Sequence, residues 1–75
     1  MNVYVLAVAC VMGGSCQQGY FLFHDPALVR CQQDILPMIE GRHSKNRNGQ
    51  TVTWHARGCV KSDTPPGGLQ MLGMF

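Results

Sequence analysis

The chain opens on an apolar run without polar alternation, Asn2 to Met12, rich in valine and carrying Tyr4. A segment apolar on both sides suits a strand covered on both faces of a sheet. Gly13-Gly14 follows, and glycine accepts the positive φ that tight hairpin turns demand. Gln17 to His24, centred on Tyr20-Phe21-Leu22-Phe23, then reads as the returning strand. Asp25-Pro26 predicts a helix start, the carboxylate accepting from free amides and proline fitting the first helical position. Leu28, Cys31 and Ile35 fall on one stripe of that helix, with Arg30, Gln33 and Asp34 on the wet side. Pro37 should end or kink it, because proline lacks an amide hydrogen and clashes with the preceding turn; Met38 to Gly41 add a last turn.

Gly41 to Gly49 is polar and reads as a loop. Gln50 to Arg57, around Thr51-Val52-Thr53-Trp54, alternates like an edge strand with one buried face. Beyond Cys59 the character changes. Thr64-Pro65-Pro66-Gly67-Gly68 interrupts regular structure, and an apolar tail runs from Leu69 to Phe75. The expected fold is therefore α+β: a small ββαβ domain over residues 1–61, followed by a Pro/Gly hinge and flexible tail over residues 62–75. A hairpin and a helical crossover give a three-stranded sheet of order 2-1-3 with the helix on one face. The second face is apolar too. Either the tail folds back onto it, a second copy covers it, or a partner does.

Size narrows the function. A chain of 75 residues buries only about 60% of the surface its unfolded form exposes, and it has little room for a deep pocket. A non-enzymatic role is expected, with no cofactor and no metal. Net charge is +2, from six Lys+Arg and four Asp+Glu, too mild to imply nucleic acid by itself. The apolar start is too short to span a membrane. Ala7-Val8-Ala9-Cys10 loosely resembles a lipoprotein cleavage box, but Met1-Asn2 brings no positive charge before it.

Cys10, Cys16, Cys31 and Cys59 contain no Cys-x-x-Cys, so the common zinc and redox signatures are missing. In the expected topology Cys10 and Cys16 flank one end of the sheet, while Cys31 and Cys59 meet at the other. Proximity favours those two pairs. A two-residue turn, however, would set Val11 opposite Cys16 and send Cys10 to the other face; a one-residue change of register would reunite them. Free buried thiols stay equally open. His55-x-x-x-Cys59, with His24 or His43 as recruits, is the only local metal-like spacing, and four strand residues span about 13 Å, too far to share an ion.

Two surface features can carry contacts. Arg42, His43, Lys45 and Arg47 form the densest polar stretch and suit phosphates or an acidic protein surface, or simply a solvated loop. The tail residues Leu69, Met71, Leu72, Met74 and Phe75 suit a partner groove or the protein's own sheet. Tyr4, Phe21, Phe23 and Trp54 offer stacking faces, which core packing also explains.

Gly14-Ser15-Cys16-Gln17, the aromatic Tyr20 to Phe23, the helical Cys31 and the strand end Cys59-Val60 resemble a family of short uncharacterised proteins of enterobacterial prophages. The resemblance covers about 60 residues and implies a phage or prophage origin; the family supplies no activity to transfer. Small stable proteins of that origin commonly bind and block a host machine, so the first expectation is a cytoplasmic accessory protein that inhibits or modulates a host or defence protein. The uncovered sheet face, the basic loop and the apolar tail supply its contacts, and that face also allows a homodimer. Two alternatives stand beside it: an exported, disulfide-stabilised envelope protein, and a weak nucleic-acid binder using Arg42, Lys45 and Arg47.

Overall fold

A computed structural model describes all residues, 1–75, and departs from the expected three-stranded sheet. Five strands form one mixed sheet: β1 (Asn2–Val11), β2 (Cys16–Phe23), β3 (His43–Lys45), β4 (Thr51–Ser62) and β5 (Gln70–Met74). Their spatial order is β3-β4-β1-β2-β5. All neighbours are antiparallel except β2 and β5, which run parallel. Between β2 and β3 lies a helical segment made of α1 (Leu28–Arg30), a π-helical turn (Cys31–Ile35) and α2 (Leu36–Ile39).

The hairpin turn is wider than a Gly-Gly pair. The Gly14 amide donates to the Val11 carbonyl, and the Val11 amide to the Ser15 carbonyl. Gly13 holds φ +74° at the third position of this turn, a conformation that favours glycine. Register then places Cys10 directly opposite Cys16.

The helical segment passes Pro37 by widening. The Leu36 amide donates to the Cys31 carbonyl, five residues back, so the chain makes a π turn before the proline; π turns and prolines are recognised causes of helix irregularity. Asp25 does not cap the helix itself. Its Oδ1 accepts from the Ala27 amide at 2.9 Å, and the first helical residue is Leu28. Cys31, Ile35 and Ile39 face inward against Val3, Val5, Ala7 and Phe23, forming the core.

Two corrections to the expected sheet have local causes. Residues 43–45, read as loop, form the edge strand β3 because Asn46 to Gln50 make a tight reversal. Asn46 Oδ1 accepts from the amides of Asn48 and Gln50, and Gly49 takes φ +78°. The tail is the other correction. Residues 70–74 form β5 on the free edge of β2, where unpaired amides and carbonyls would otherwise face water. The Phe75 amide donates to the Leu22 carbonyl at 2.8 Å, and its own carbonyl accepts from the His24 amide at 3.0 Å. Gly19 is buried, and an added Cβ there would lie 2.4 Å from Leu72 Cγ; the leucine occupies the space that glycine leaves. The stretch 63–69 carries the chain from β4 past β1 and β2 to that far edge.

Strand β4 contains a register shift opposite Leu6 and Ala7, where Gly58 faces Leu6 and Ala56 faces Ala7. Arg57 is the extra residue, and its insertion reverses the side-chain alternation. Trp54 and Cys59 consequently face the same side of the sheet as the helix, opposite Ala9 and Val5.

Candidate functional site

The cysteines are joined as Cys10–Cys16 and Cys31–Cys59, with Cα separations of 4.0 and 6.2 Å. These bonds differ in setting. Cys31 is fully buried and ties the π turn to β4 through the core. Cys16 is exposed, and the Cys10–Cys16 bond crosses the outer end of the hairpin, next to its turn. Access of an attacking thiolate helps to set exchange rates. Mild thiol treatment of the folded protein is therefore expected to open Cys10–Cys16 well before Cys31–Cys59. Timed alkylation with peptide mass mapping reads the order; simultaneous opening would contradict the difference in burial.

With Cys59 committed to Cys31, the His55-x-x-x-Cys59 spacing offers no metal pair. The β4 bulge also turns the two residues to opposite faces, His55 against Val8 and Cys59 against Val5. Each histidine has a protein partner. His24 Nδ1 lies 2.6 Å from the Phe75 carbonyl, His43 Nδ1 lies 3.2 Å from Thr53 Oγ1, and His55 Nδ1 lies 3.2 Å from Glu40 Oε1.

The basic stretch does not form one surface. The Trp54 amide donates to the Arg42 carbonyl, and His43 pairs with Thr53, Ser44 with Val52 and Lys45 with Thr51. Alternation therefore turns Arg42 and Ser44 toward the helix side and His43 and Lys45 away from it. Arg47 lies in the turn beyond β3. The tail residues are divided as well: Leu72 covers Gly19, Phe75 joins the core, and Met71 and Met74 remain exposed at 45% and 66%. Leu69 lies in the link before β5 and is partly buried.

What the fold does bring together is a cleft of about 240 Å³, lined by Phe21, Ile39, Arg42, Ser44, Trp54 and Phe75. Its aromatic base is continuous: the Phe21 ring centre lies 5.7 Å from that of Trp54 and 4.8 Å from that of Phe75. Four parts of the chain meet there, β2, the end of α2, the β3–β4 pair and the residue after β5. Trp54 Nε1 donates to Ser44 Oγ at 2.9 Å, which fixes the indole and leaves the serine hydroxyl hydrogen free to donate elsewhere. Arg42 is exposed and makes no ion pair and no side-chain hydrogen bond. Sequence reading found Arg42, Phe21 and Trp54 separately but not their meeting. Arg42-x-Ser44 at strand spacing opposite Trp54 is the signal that could have joined them.

Glu40, at the end of α2 beside Ile39, ties that end to β4. Its Oε2 accepts from the Ala56 amide at 2.8 Å and its Oε1 meets His55. The Ala56 amide, then His55, hold the Glu40 carboxyl below its ordinary range. The Ala27 amide, reinforced by Arg30, does the same for Asp25. Both groups have folded pKa values lower than unfolded ones. Their contribution is thus fully present above the ordinary carboxylate range and is lost as pH falls through the lowered values. Denaturation midpoints should drop across that acid window, and Glu40→Gln should flatten the drop; an unchanged pH profile in the variant would count against the tie.

Comparison with known proteins gives no match: no family model fits the chain, and no curated protein or solved structure is significantly similar to it. Nothing in those comparisons bears on the resemblance to prophage proteins.

Proposed function

We propose that this chain is a non-enzymatic binding domain stapled for an oxidising compartment, closest to the envelope-protein alternative. The single observation that carries this is the consumption of all four cysteines in two disulfides. Such bonds persist in exported and surface settings and are rare in a reducing cytosol. The core supports the same conclusion, since only seven residues form its buried cluster and small domains with thin cores depend on cross-links. Binding, rather than chemistry, suits a surface whose main concavity is apolar with one cation at its rim.

The test is thiol trapping in the producing cell. An alkylating reagent added before lysis should leave the cysteines unmodified, with the protein recovered in the exported fraction. Alkylation at all four positions would overturn the compartment.

A second reading, the phage-type factor that blocks a host protein in the cytoplasm, draws on the exposed apolar side chains Val60, Met71 and Met74. Under it, Met74→Asp abolishes capture of one stoichiometric host protein and leaves thermal stability unchanged. Retained capture would remove the β5 edge from the contact.

A further inference from the structure

We infer that the cleft between α2, β3 and the end of β5 is a binding site for an aromatic carboxylate of about one residue's size. The inference rests on the reading of the chain as a binding domain and gives that domain a ligand chemistry.

Three features of the cleft select this class. The base is formed by Phe21, Trp54 and Phe75, whose rings are tilted 48° and 59° to Phe21 rather than stacked flat. Such a surface receives a further ring edge-on or offset, the arrangements that aromatic quadrupoles prefer. Size is the second feature. A cleft of about 240 Å³ is smaller than the roughly 300–1,000 Å³ of drug-sized sites, so a single ring with a short acidic arm fills it. The third is polar complement. The lining contains one cation, Arg42, and one hydroxyl, Ser44, and no acidic side chain. Glu40, the acidic residue nearest in sequence to Arg42, is held by Ala56 and His55.

Arg42, immediately before β3 and bonded through its carbonyl to the Trp54 amide, and Ser44 within β3 lie two residues apart on the same side, so both donors stand on the rim together. A guanidinium fork matches the two oxygens of a carboxylate. Ser44 Oγ already accepts from the indole, so its hydrogen can point to the same anion. A phosphate would call for more positive charge, and Lys45 and His43 lie on the opposite face of β3. Trp54 both lines the site and is the chain's only tryptophan, which makes occupancy directly readable.

Two sources carry this chemistry: a free arylalkanoic acid and the C-terminal aromatic residue of a peptide. The probes are phenylacetate and N-acetylphenylalanine, each against its carboxamide, titrated while Trp54 emission is followed with excitation of the indole alone. Both acids should give a saturable change. Each amide should bind roughly tenfold more weakly, as expected for loss of a charge-assisted contact. Arg42→Gln should erase the acid-over-amide preference, and Ser44→Ala should reduce it. Both substitutions sit at the rim, and near-ultraviolet circular dichroism with intact cystines verifies the fold of each variant. Tighter binding of N-acetylphenylalanine assigns the site to chain termini, and tighter binding of phenylacetate to free acids. No saturable change, equal binding of acid and amide, or an unaltered preference in Arg42→Gln would each overturn the site. Thiol trapping in cells is read independently, so loss of the cleft is distinguishable from loss of the compartment.

Discussion

Replacing Cys31 and Cys59 together by alanine should cost about 3–4 kcal/mol, close to the whole stability of the domain at its lower bound. The bond closes a loop of 28 residues, for which chain-entropy arguments give about 3.6 kcal/mol. A domain of 75 residues has roughly 4–11 kcal/mol in total. Packing adds to the effect, because Cys31 is fully buried among Val3, Val5 and Ile35. The same change at Cys10 and Cys16, a loop of six, should cost about 2 kcal/mol by that relation. Urea unfolding of both double variants checks the order. Equal losses, or a larger loss at the hairpin, would mean that Cys31–Cys59 does not hold the helix to the sheet.

The second large effect concerns the tail. Gly19→Ala in an exposed, unobstructed strand position would stabilise by about 0.4–1 kcal/mol through the unfolded chain. Here the new methyl would lie 2.4–2.7 Å from Leu72 Cγ, Cδ1 and Cδ2, so the whole leucine must move and β5 with it. Overpacking of this kind costs typically 1–3 kcal/mol, and the expected sign is therefore destabilising. In a Leu72→Ala background the obstruction is gone, and Gly19→Ala should become neutral or favourable. A double-mutant cycle isolates that coupling. A stabilising Gly19→Ala in the unaltered protein would show that the tail leaves the sheet edge.

These two effects also show where sequence is transparent and where it is not. The Val-rich Asn2 to Met12 run, the Gly13-Gly14 turn and the Tyr20 to Phe23 return are local patterns, and such patterns announce themselves. The inward stripe through Cys31 and Ile35 is local too. The Asn48-Gly49 pair is an equally local hairpin signal, but it sits among charges that give residues 41–49 the pattern of a solvated loop. Strand β5 is a different matter. Its partner β2 lies some fifty residues earlier, and the parallel pairing leaves no turn signature; Pro65-Pro66-Gly67-Gly68 looks like an ending when it is a crossing.

The cleft was illegible for a related reason. Its lining comes from residues 21, 39, 42, 44, 54 and 75, which only the completed sheet assembles. Basic residues adjacent in sequence led toward one patch, whereas strand alternation divides them between two faces. The extra residue Arg57 shifts parity along β4, so a simple count of alternation from Trp54 places Cys59 on the wrong side. Without that shift Cys59 would turn away from Cys31.

The most direct measurement is a tryptic map of the native protein under non-reducing, thiol-blocked conditions. Cleavage after Arg30, Arg42, Arg57 and Lys61 leaves Cys10 and Cys16 together in residues 1–30, Cys31 in residues 31–42 and Cys59 in residues 58–61. Residues 31–42 should be recovered covalently joined to 58–61, while 1–30 carries an internal bond and no blocked thiol. Blocked thiols at Cys31 and Cys59, or a link from residues 1–30 to either partner, would contradict both the fold and the oxidising setting proposed for it.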